Sequence, residues 1–317
     1  MLQVYLKIKM AKFLGIDTSN YTTSIAVYDQ MDGIVGFERK ILQVKSGEVG
    51  LRQSDAVFQH VQNLPLLFQT IEELYIKDIS GIGVSSVPRD EVGSYMPCFT
   101  VGTSFAKSLG SCLSVPVYSF SHQSGHIVAA AYSAGRTDLL QQAFIAFHVS
   151  GGTTEVVLVQ PDADTIFHID VIASSLDLKA GQAIDRVGNM LNLPFPAGKH
   201  IEELANKSVT KFRCKPFMRD GCPSLSGLEN KCAQMIAKNE SPENVARYCL
   251  DFITAALIHM AENCVSKHPS LPILFSGGVM SDLIIREEIS RRFNAVFSDP
   301  FYSSDNAAGI AYLASLK

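Results

Sequence analysis

Two segments of this chain share one local pattern. Leu14-Gly-Ile-Asp-Thr-Ser-Asn-Tyr-Thr-Thr-Ser-Ile-Ala-Val27 and Ala146-Phe-His-Val-Ser-Gly-Gly-Thr-Thr-Glu-Val-Val-Leu-Val159 each place a small polar cluster between two apolar runs. Each predicts strand, tight turn, strand. Gly, Ser, Thr and Asn accept left-handed backbone and present N–H groups and hydroxyls in succession, which suits an anion. A single hairpin of this composition more often binds nothing. The repetition is the stronger constraint: the fold is built twice, and two such turns facing one another would grip a phosphate chain.

The rest of the chain extends the duplication. After the first cassette the pattern predicts a strand over Gly33 to Ile41, a long amphipathic helix over Asp55 to Tyr75 and a buried strand over Gly81 to Val87. A helix over Thr100 to Leu113, a strand over Val115 to Tyr118 and a helix over Ser121 to Tyr132, capped by Ser121, complete a first lobe. The second lobe restarts at Phe144 with its cassette, then a strand near Thr165 to Ala173 and a helix from Lys179 to Leu191. Helices follow over Ile201 to Ala205 and Ser241 to Ser266, then a strand over Ile273 to Ser276 running into Gly277-Gly278 and a helix. A short strand over Ala295 to Ser298 and a closing helix over Ser304 to Leu316 end the chain. Three meandering strands followed by alternating helices and strands, done twice, is the pattern of the actin/hexokinase/Hsp70-like ATPase fold. This is an α/β architecture of duplicated ribonuclease H-like domains. The expected lobes are residues 1–142 and 143–317, with ligands in the cleft between them and the Gly277-Gly278 turn as a wall on the nucleoside side. Alone, a strand-Ser-Gly-Gly-helix junction is more often just a tight connection.

At 317 residues and 47% apolar content, two lobes with real cores are feasible. No apolar run approaches the ~20 residues that span a bilayer, and no membrane association is expected. Residues 1–9 read as an extension ahead of a start at Met10. The seven cysteines lack a CxxC pair, which suggests neither a disulfide framework nor a zinc ribbon and fits a reducing, cytoplasmic setting. A net charge of −4 does not advertise nucleic-acid binding over the whole surface. Lys211, Arg213, Lys215 and Arg219, interleaved with Phe212 and Phe217, form a local mix able to track phosphates and stack a base, or else an ordinary solvated loop.

The most chemical short pattern is His122-Gln-Ser-Gly-His126. Spacing i, i+4 on a helix turns both imidazoles to one side, which suits a transition metal. Asp305, in Ser304-Asp-Asn-Ala, adds the carboxylate that completes a two-histidine, one-carboxylate set for iron or zinc. Asp305 also reads as a helix cap. A metallopeptidase would need the Glu of HExxH as general base, and this chain has Gln123 there.

Together these residues resemble the family of tRNA adenosine threonylcarbamoyltransferases (TsaD, formerly glycoprotease or O-sialoglycoprotein endopeptidase). The resemblance runs from about Lys12 to the end. It is carried by Gly15-Ile-Asp-Thr-Ser, His122…His126, Val149-Ser-Gly-Gly, Ala180-Gly-Gln-Ala-Ile-Asp185, Pro194-Phe-Pro-Ala-Gly198, Ser224-Leu-Ser-Gly-Leu228, Ser276-Gly-Gly-Val279 and Ser304-Asp-Asn-Ala307. The resemblance implies that His122, His126 and Asp305 hold the metal, and that Ser150, Gly151 and Gly152 contact phosphate. It further implies that Asp185 binds ribose, that Gly198 permits close approach, and that Gly277 and Gly278 line the adenine end. Asp282 stands where the family usually has Asn at the nucleoside. His148 stands where some branches place a metal-reaching tyrosine, so it is a candidate fourth ligand; the alternative is a histidine packed in a strand. The implied ligands are an adenine nucleotide or acyl-adenylate, with Mg as an optional companion, and tRNA. The implied protein partners are an actin-like paralogue and a small ATPase.

The implied reaction moves a threonylcarbamoyl group from threonylcarbamoyl-adenylate to N6 of the tRNA adenosine adjacent to the anticodon. The departures define its rival. The family's Cys-Asp-Glu stretch is replaced by Asn20-Tyr21-Thr22, and its Gly-Pro-Gly turn by Val87-Pro-Arg-Asp-Glu-Val-Gly93. Lys179 stands where a second acidic residue is usual, and Asp17 survives at an acidic position, where a carboxylate orders a cation or water near the phosphates and serves as the catalytic candidate. The rival is a nucleotide- and metal-binding paralogue without transferase activity, acting as scaffold or regulator. A small-molecule kinase or other ATP-dependent carbamoyltransferase on the same fold, using Asp17 or Asp185 near a γ-phosphate, is a third reading; kinases on this fold do not need the histidine pair.

Overall fold

The first cassette folds into two antiparallel strands, β1 (Lys12–Ser19) and β2 (Thr22–Asp29), with Asp17 opposite Ser24. This is a computed structural model, and it describes residues 11–19, 21–44, 51–299 and 306–317. β3 (Gly33–Ile41) completes the meander. The expected long helix divides into α1 (Gln53–Thr70) and α2 (Glu73–Ile76), with Ile71 leaving the helix in an extended conformation at the junction. β4 (Ile79–Val87) then pairs parallel to β1, α3 (Phe99–Leu113) follows, and β5 (Val117–Ser121) pairs parallel to β4. The sheet order is β3-β2-β1-β4-β5, and α4 (His122–Ser133) leaves its last strand.

The second cassette repeats this plan. β6 (Phe144–Val149), β7 (Thr154–Asp162) and β8 (Ile166–Ser174) form the antiparallel meander. Helices α5 (Ala180–Met190) and α6 (Gly198–Ala205) follow. Next come three elements that the sequence pattern missed: β9 (Phe217–Arg219) and β10 (Cys222–Ser224), paired as a hairpin, and α7 (Ser226–Ala237). Three-residue strands give too few alternations to register as a period, and the polar, Gly-containing start of α7 reads as loop. α8 (Pro242–Lys267) begins where Ser241 Oγ accepts the Asn244 N–H at 3.2 Å, with Pro242 in the first turn. β11 (Ile273–Ser276) pairs parallel to β6, α9 (Leu283–Ser290) follows a short 3-10 turn, and β12 (Ala295–Phe297) pairs parallel to β11. The order β12-β11-β6-β7-β8 places an antiparallel meander on one side and parallel strands on the other, as in the first sheet.

The chain groups into two compact units, one running to Tyr132 and including the C-terminal helix α10 (Ala307–Ser315), the other spanning Ser133–Ser304. A division at residue 142 leaves that helix with the second lobe instead. Backbone contact explains the grouping. A Cβ on Gly15 would lie 2.1 Å from the Ala307 carbonyl oxygen, and one on Gly309 would lie 2.0 Å from that of Gly125. α10 meets β1 and α4 at distances that only glycine permits. Alternation along β1 then sorts its faces: Leu14 and Ile16 enter a core with Ile25, Val27, Ile82 and Leu64, while Gly15 and Asp17 face α10. In the second unit Phe147, Val149, Val156, Ile184, Leu250, Ile253 and Phe275 belong to one core under the sheet. No helix among the described residues is long and apolar enough to cross a membrane.

Candidate functional site

In the first unit the histidine pair sits on the opening turn of α4. The imidazoles of His122 and His126 lie 4.6 Å apart, centroid to centroid, with planes 68° apart, so the i, i+4 spacing does bring them together. Two side chains hold His122. Asp17, almost fully buried, places Oδ2 3.0 Å from His122 Nδ1, and the Asn306 side-chain amide lies against the ring, 3.0 Å from Nε2. Asp17 at Nδ1 and the Asn306 amide against the ring together fix the orientation of His122, as the outer partners of a metal-binding imidazole do. Asp17 Oδ1 and Asn306 Oδ1 are buried without a protein partner, so polar capacity beside His122 is left over. These groups fit a cation on the histidine pair. Asp305 lies outside the described residues, as does Asn20, and among the described residues no group of three His, Cys, Asp or Glu is arranged for a metal.

The loop over residues 87–93 reaches this helix. Asp90 Oδ2 accepts from Ser121 Oγ and from Ser124 Oγ, both at 2.7 Å, and Ser121 Oγ accepts the Ser124 N–H at 3.0 Å. Gln123 N donates to the Pro88 carbonyl at 3.1 Å. Ser121 therefore caps α4 as its sequence position predicts, and Asp90 secures the residues on both sides of His122. The sequence pattern does not single out Asp90, because a carboxylate 31 residues from its partner leaves no local signal. Deeper in this unit, Thr23 Oγ1 and His60 Nδ1 are 2.8 Å apart, and burial pulls the His60 pKa down to about 4.

The second unit holds the glycine turns. Ser150 N donates to the Thr153 carbonyl at 2.7 Å, and Ser150 Oγ accepts from Gly152 N and Thr153 N at 3.3 and 3.1 Å. The hydroxyl thus shapes its own turn. Gly151 and Gly152 are exposed, and a Cβ on either would meet nothing. The start of α5 abuts this turn: Gly181 N donates to the Ser150 carbonyl at 3.1 Å, and a Cβ on Gly181 would lie 2.7 Å from Gly151 N. An open glycine turn beside a helix N-terminus is suited to phosphate. Gly277, at φ 99°, would bring a Cβ within 2.3 Å of the Val149 carbonyl oxygen, so the Ser276-Gly-Gly turn touches the end of the strand that leads into Ser150. A Cβ on Gly278, as on Gly198 at the start of α6, meets nothing.

Asp185, on α5, accepts the Ala197 N–H at 2.8 Å through Oδ1, and it lines a cavity of about 410 Å³ with Arg186, Asn189, Phe195 and Glu229. Asp282 is buried at the N-terminus of α9, where Oδ1 accepts the Ile285 N–H at 3.0 Å. Burial nevertheless pushes its pKa up to about 7. His148 stands on β6 opposite Ser276, with Nδ1 3.5 Å from Ser276 Oγ. Lys179 Nζ donates to Ser175 Oγ at 3.2 Å. Asp177 is a second residue that the sequence pattern does not single out. Its carboxylate takes the Ser224 hydroxyl at 2.6 Å and the Leu225 N–H at 2.7 Å, fixing the Ser224-Leu-Ser-Gly motif; burial opposes its ionisation, but these hydrogen bonds hold its pKa well below the usual range.

The family model for tRNA N6-adenosine threonylcarbamoyltransferase, TsaD, matches residues 42–312. A tRNA N6-adenosine threonylcarbamoyltransferase of Buchnera aphidicola subsp. Schizaphis graminum is 29% identical, covering 96% of this chain and 92% of its own. One from Thermosipho melanesiensis is 29% identical over 94% and 92%. Among solved structures, component A of (R)-2-hydroxyglutaryl-CoA dehydratase from Acidaminococcus fermentans aligns with a TM-score of 0.54 at 14% identity, covering 96% of this chain and 97% of that one. Full-length HypF in its phosphate- and nucleotide-bound form aligns at 0.59 and 11% identity, over 96% of this chain and 55% of that one. A ROK-family glucokinase from Streptomyces griseus aligns at 0.50 and 12% identity, over 96% and 99%. At these identities the solved structures speak to the fold, which is the actin/hexokinase-like α/β ATPase fold. The family model spans most of the sequence, and the chain belongs to the TsaD family of tRNA N6-adenosine threonylcarbamoyltransferases.

Proposed function

We propose that this chain transfers a threonylcarbamoyl group from threonylcarbamoyl-adenylate to N6 of the tRNA adenosine adjacent to the anticodon, in a cytoplasmic setting. The observation that carries the reading is the coexistence, in one chain of this family, of an open Ser150-Gly151-Gly152 turn and a histidine pair oriented by Asp17. Backbone N–H groups of that turn and of the α5 N-terminus receive the adenylate phosphate. Asp185, with Oδ1 engaged by Ala197, offers Oδ2 to the ribose, and Gly198, Gly277 and Gly278 leave room for the nucleoside. Asp282 occupies the nucleoside end, where its carboxylic acid, neutral in the lower part of the pH range, donates as well as accepts. His122 and His126 are the proposed ligands of one divalent iron or zinc, with Asp305 as the carboxylate and His148 as a further candidate. Such a metal supplies Lewis-acid polarisation of the acyl carbonyl. The amine of the tRNA adenosine attacks that carbonyl and AMP departs, with positioning as the protein's main contribution. Asp17 acts by holding His122 rather than by reaching a phosphate.

The test is direct. Full-length protein given iron or zinc, threonylcarbamoyl-adenylate and unmodified tRNA, with the paralogue and small ATPase that the family implies, yields modified adenosine, and His126→Ala loses it. No product from wild type, alongside retained nucleotide binding, overturns the transferase reading in favour of the scaffold. Elemental analysis of His122→Ala and Asp305→Ala reads the ligand set separately, with parallel metal loss expected; His148→Ala reads the further candidate.

A further inference from the structure

Between Asn206 and Arg219 the chain carries five cations, Lys207, Lys211, Arg213, Lys215 and Arg219, and no Asp or Glu, although the whole chain is net negative. Exposure alternates along it. Lys211, Arg213, Lys215 and Phe217 point outward, while Phe212, Cys214 and Pro216 turn in. Two contacts fix the inward side: Phe212 N donates to Asp251 Oδ2 at 2.7 Å, and the Phe212 ring meets Tyr248 edge-on at 5.4 Å. An anchored extended segment therefore presents alternate side chains as one ridge, with about 6.5 Å between neighbours two residues apart.

The acids nearby are already matched. Glu288 takes Lys211 and Arg291, and Asp251 takes Arg247 at 3.0 Å. Arg213, Lys215 and Arg219 make no ion pair among the described residues, against the one acid of the hairpin turn, Asp220. Beside the ridge lies a cavity of about 660 Å³, lined by Lys211, Arg213, His259 and Arg292 over a floor of Thr254 and Ile258. Phe217, 66% exposed, stands among the cations as an uncovered aromatic face. Unpaired cations at regular spacing, a concave floor and an aromatic platform are what a nucleic-acid backbone with unstacked bases requires.

We propose that the ridge from Lys207 to Arg219 binds the phosphodiester backbone of RNA, with Phe217 stacking on a base. The choice of tRNA as the RNA rests on the proposed transferase reaction; the ridge itself rests on charge and exposure.

The test uses the full chain and fluorescently labelled unmodified tRNA, titrated at several salt concentrations between about 50 and 200 mM. The triple variant Arg213→Ala, Lys215→Ala, Arg219→Ala is expected to weaken binding about ten-fold or more. It should also flatten the dependence of log K on log salt by roughly two units, since each lost phosphate contact removes about 0.7 to 0.9. Phe217→Ala should weaken binding about five-fold with the slope unchanged, as loss of stacking does. ATP affinity and thermal stability are the controls, and both should match wild type. Unchanged tRNA affinity and slope in the triple variant, or no RNA binding by wild type, overturns the proposal. The transferase reading fails separately: ridge-dependent tRNA binding without modified adenosine sinks the reaction and keeps the ridge, and product formation indifferent to the ridge does the reverse.

Discussion

The two cassettes share topology and differ in what their polar groups do. In the first, Asp17, Thr18 and Thr23 turn inward, while Tyr21 is exposed. Asp17 holds His122, Thr18 Oγ1 donates to the Cys98 carbonyl and accepts the Gly102 N–H, and Thr23 is tied to His60 and Asn63. In the second, the Ser150 hydroxyl closes its own turn and leaves Gly151 and Gly152 uncovered. One strand-turn-strand pattern thus serves internal support in one unit and an open surface in the other. Duplicated topology conserves where a turn falls, not the job its side chains perform.

Glycine substitutions should separate the two cassettes most sharply. Gly15→Ala forces a Cβ to 2.1 Å from the Ala307 carbonyl oxygen, and neither strand nor helix can give. Overpacking of backbone against backbone should cost about 3 kcal/mol or more, read as a lowered denaturation midpoint. Gly151→Ala meets nothing, so its stability should stay within about 0.5 kcal/mol of wild type while adenine-nucleotide affinity falls about ten-fold. Equal stability losses in the two variants would mean that the second turn supports its own unit to the same degree that the first does.

His60 in the first unit and Asp282 in the second should contribute to pH dependence with opposite signs. His60 is buried and its pKa lies near 4, so its contribution is complete above the ordinary histidine range and is lost as pH falls from about 6.5 to about 4. Asp282 is raised to about 7, so its contribution is complete below about 4 and is lost as pH rises toward 7. Each swing is on the order of 3 kcal/mol, and in the whole chain they offset. Single variants expose them. Asp282→Asn keeps the helix cap and should gain stability over wild type at pH 8, with the gain gone at pH 4. His60→Gln should flatten the loss between pH 6.5 and 4. Chemical denaturation across this range reads both, and a variant curve parallel to wild type removes that residue from the account.

Much of the fold is legible in the sequence because it is periodic or local. Both meanders, β11 and the Ser121 cap follow from alternation and from single residues at element ends. What escapes is non-local. The place of α10 depends on glycines in β1 and β4, far away in sequence, and Asp90 is separated from Ser121 and Ser124 by α3 and β5. Asp17 is legible as a functional carboxylate but not in its contact, because a sequence gives residue type without a partner. The segment Asn20-Tyr21-Thr22 is plain in sequence, but Asn20 lies outside the described residues.

The smallest effects expected concern the histidine pair, and they decide whether the first cassette has left phosphate chemistry. Asp17→Asn keeps the shape and removes the charge that orients His122; metal affinity, measured by competition with a chelator, should fall about 10- to 100-fold, with adenine-nucleotide affinity unchanged. Asp90→Ala acts one layer further out. It frees Ser121 and Ser124 without touching either imidazole, so a weaker loss of about ten-fold is expected. A fall in nucleotide affinity with metal affinity intact in Asp17→Asn would reverse the comparison, because Asp17 would then serve the phosphates as its counterpart turn does. Metal loss in both variants, graded in this order, would instead mean that the loop at 87–93 and the first cassette form one support for His122, with Asp17 holding the ring and Asp90 the residues on either side of it.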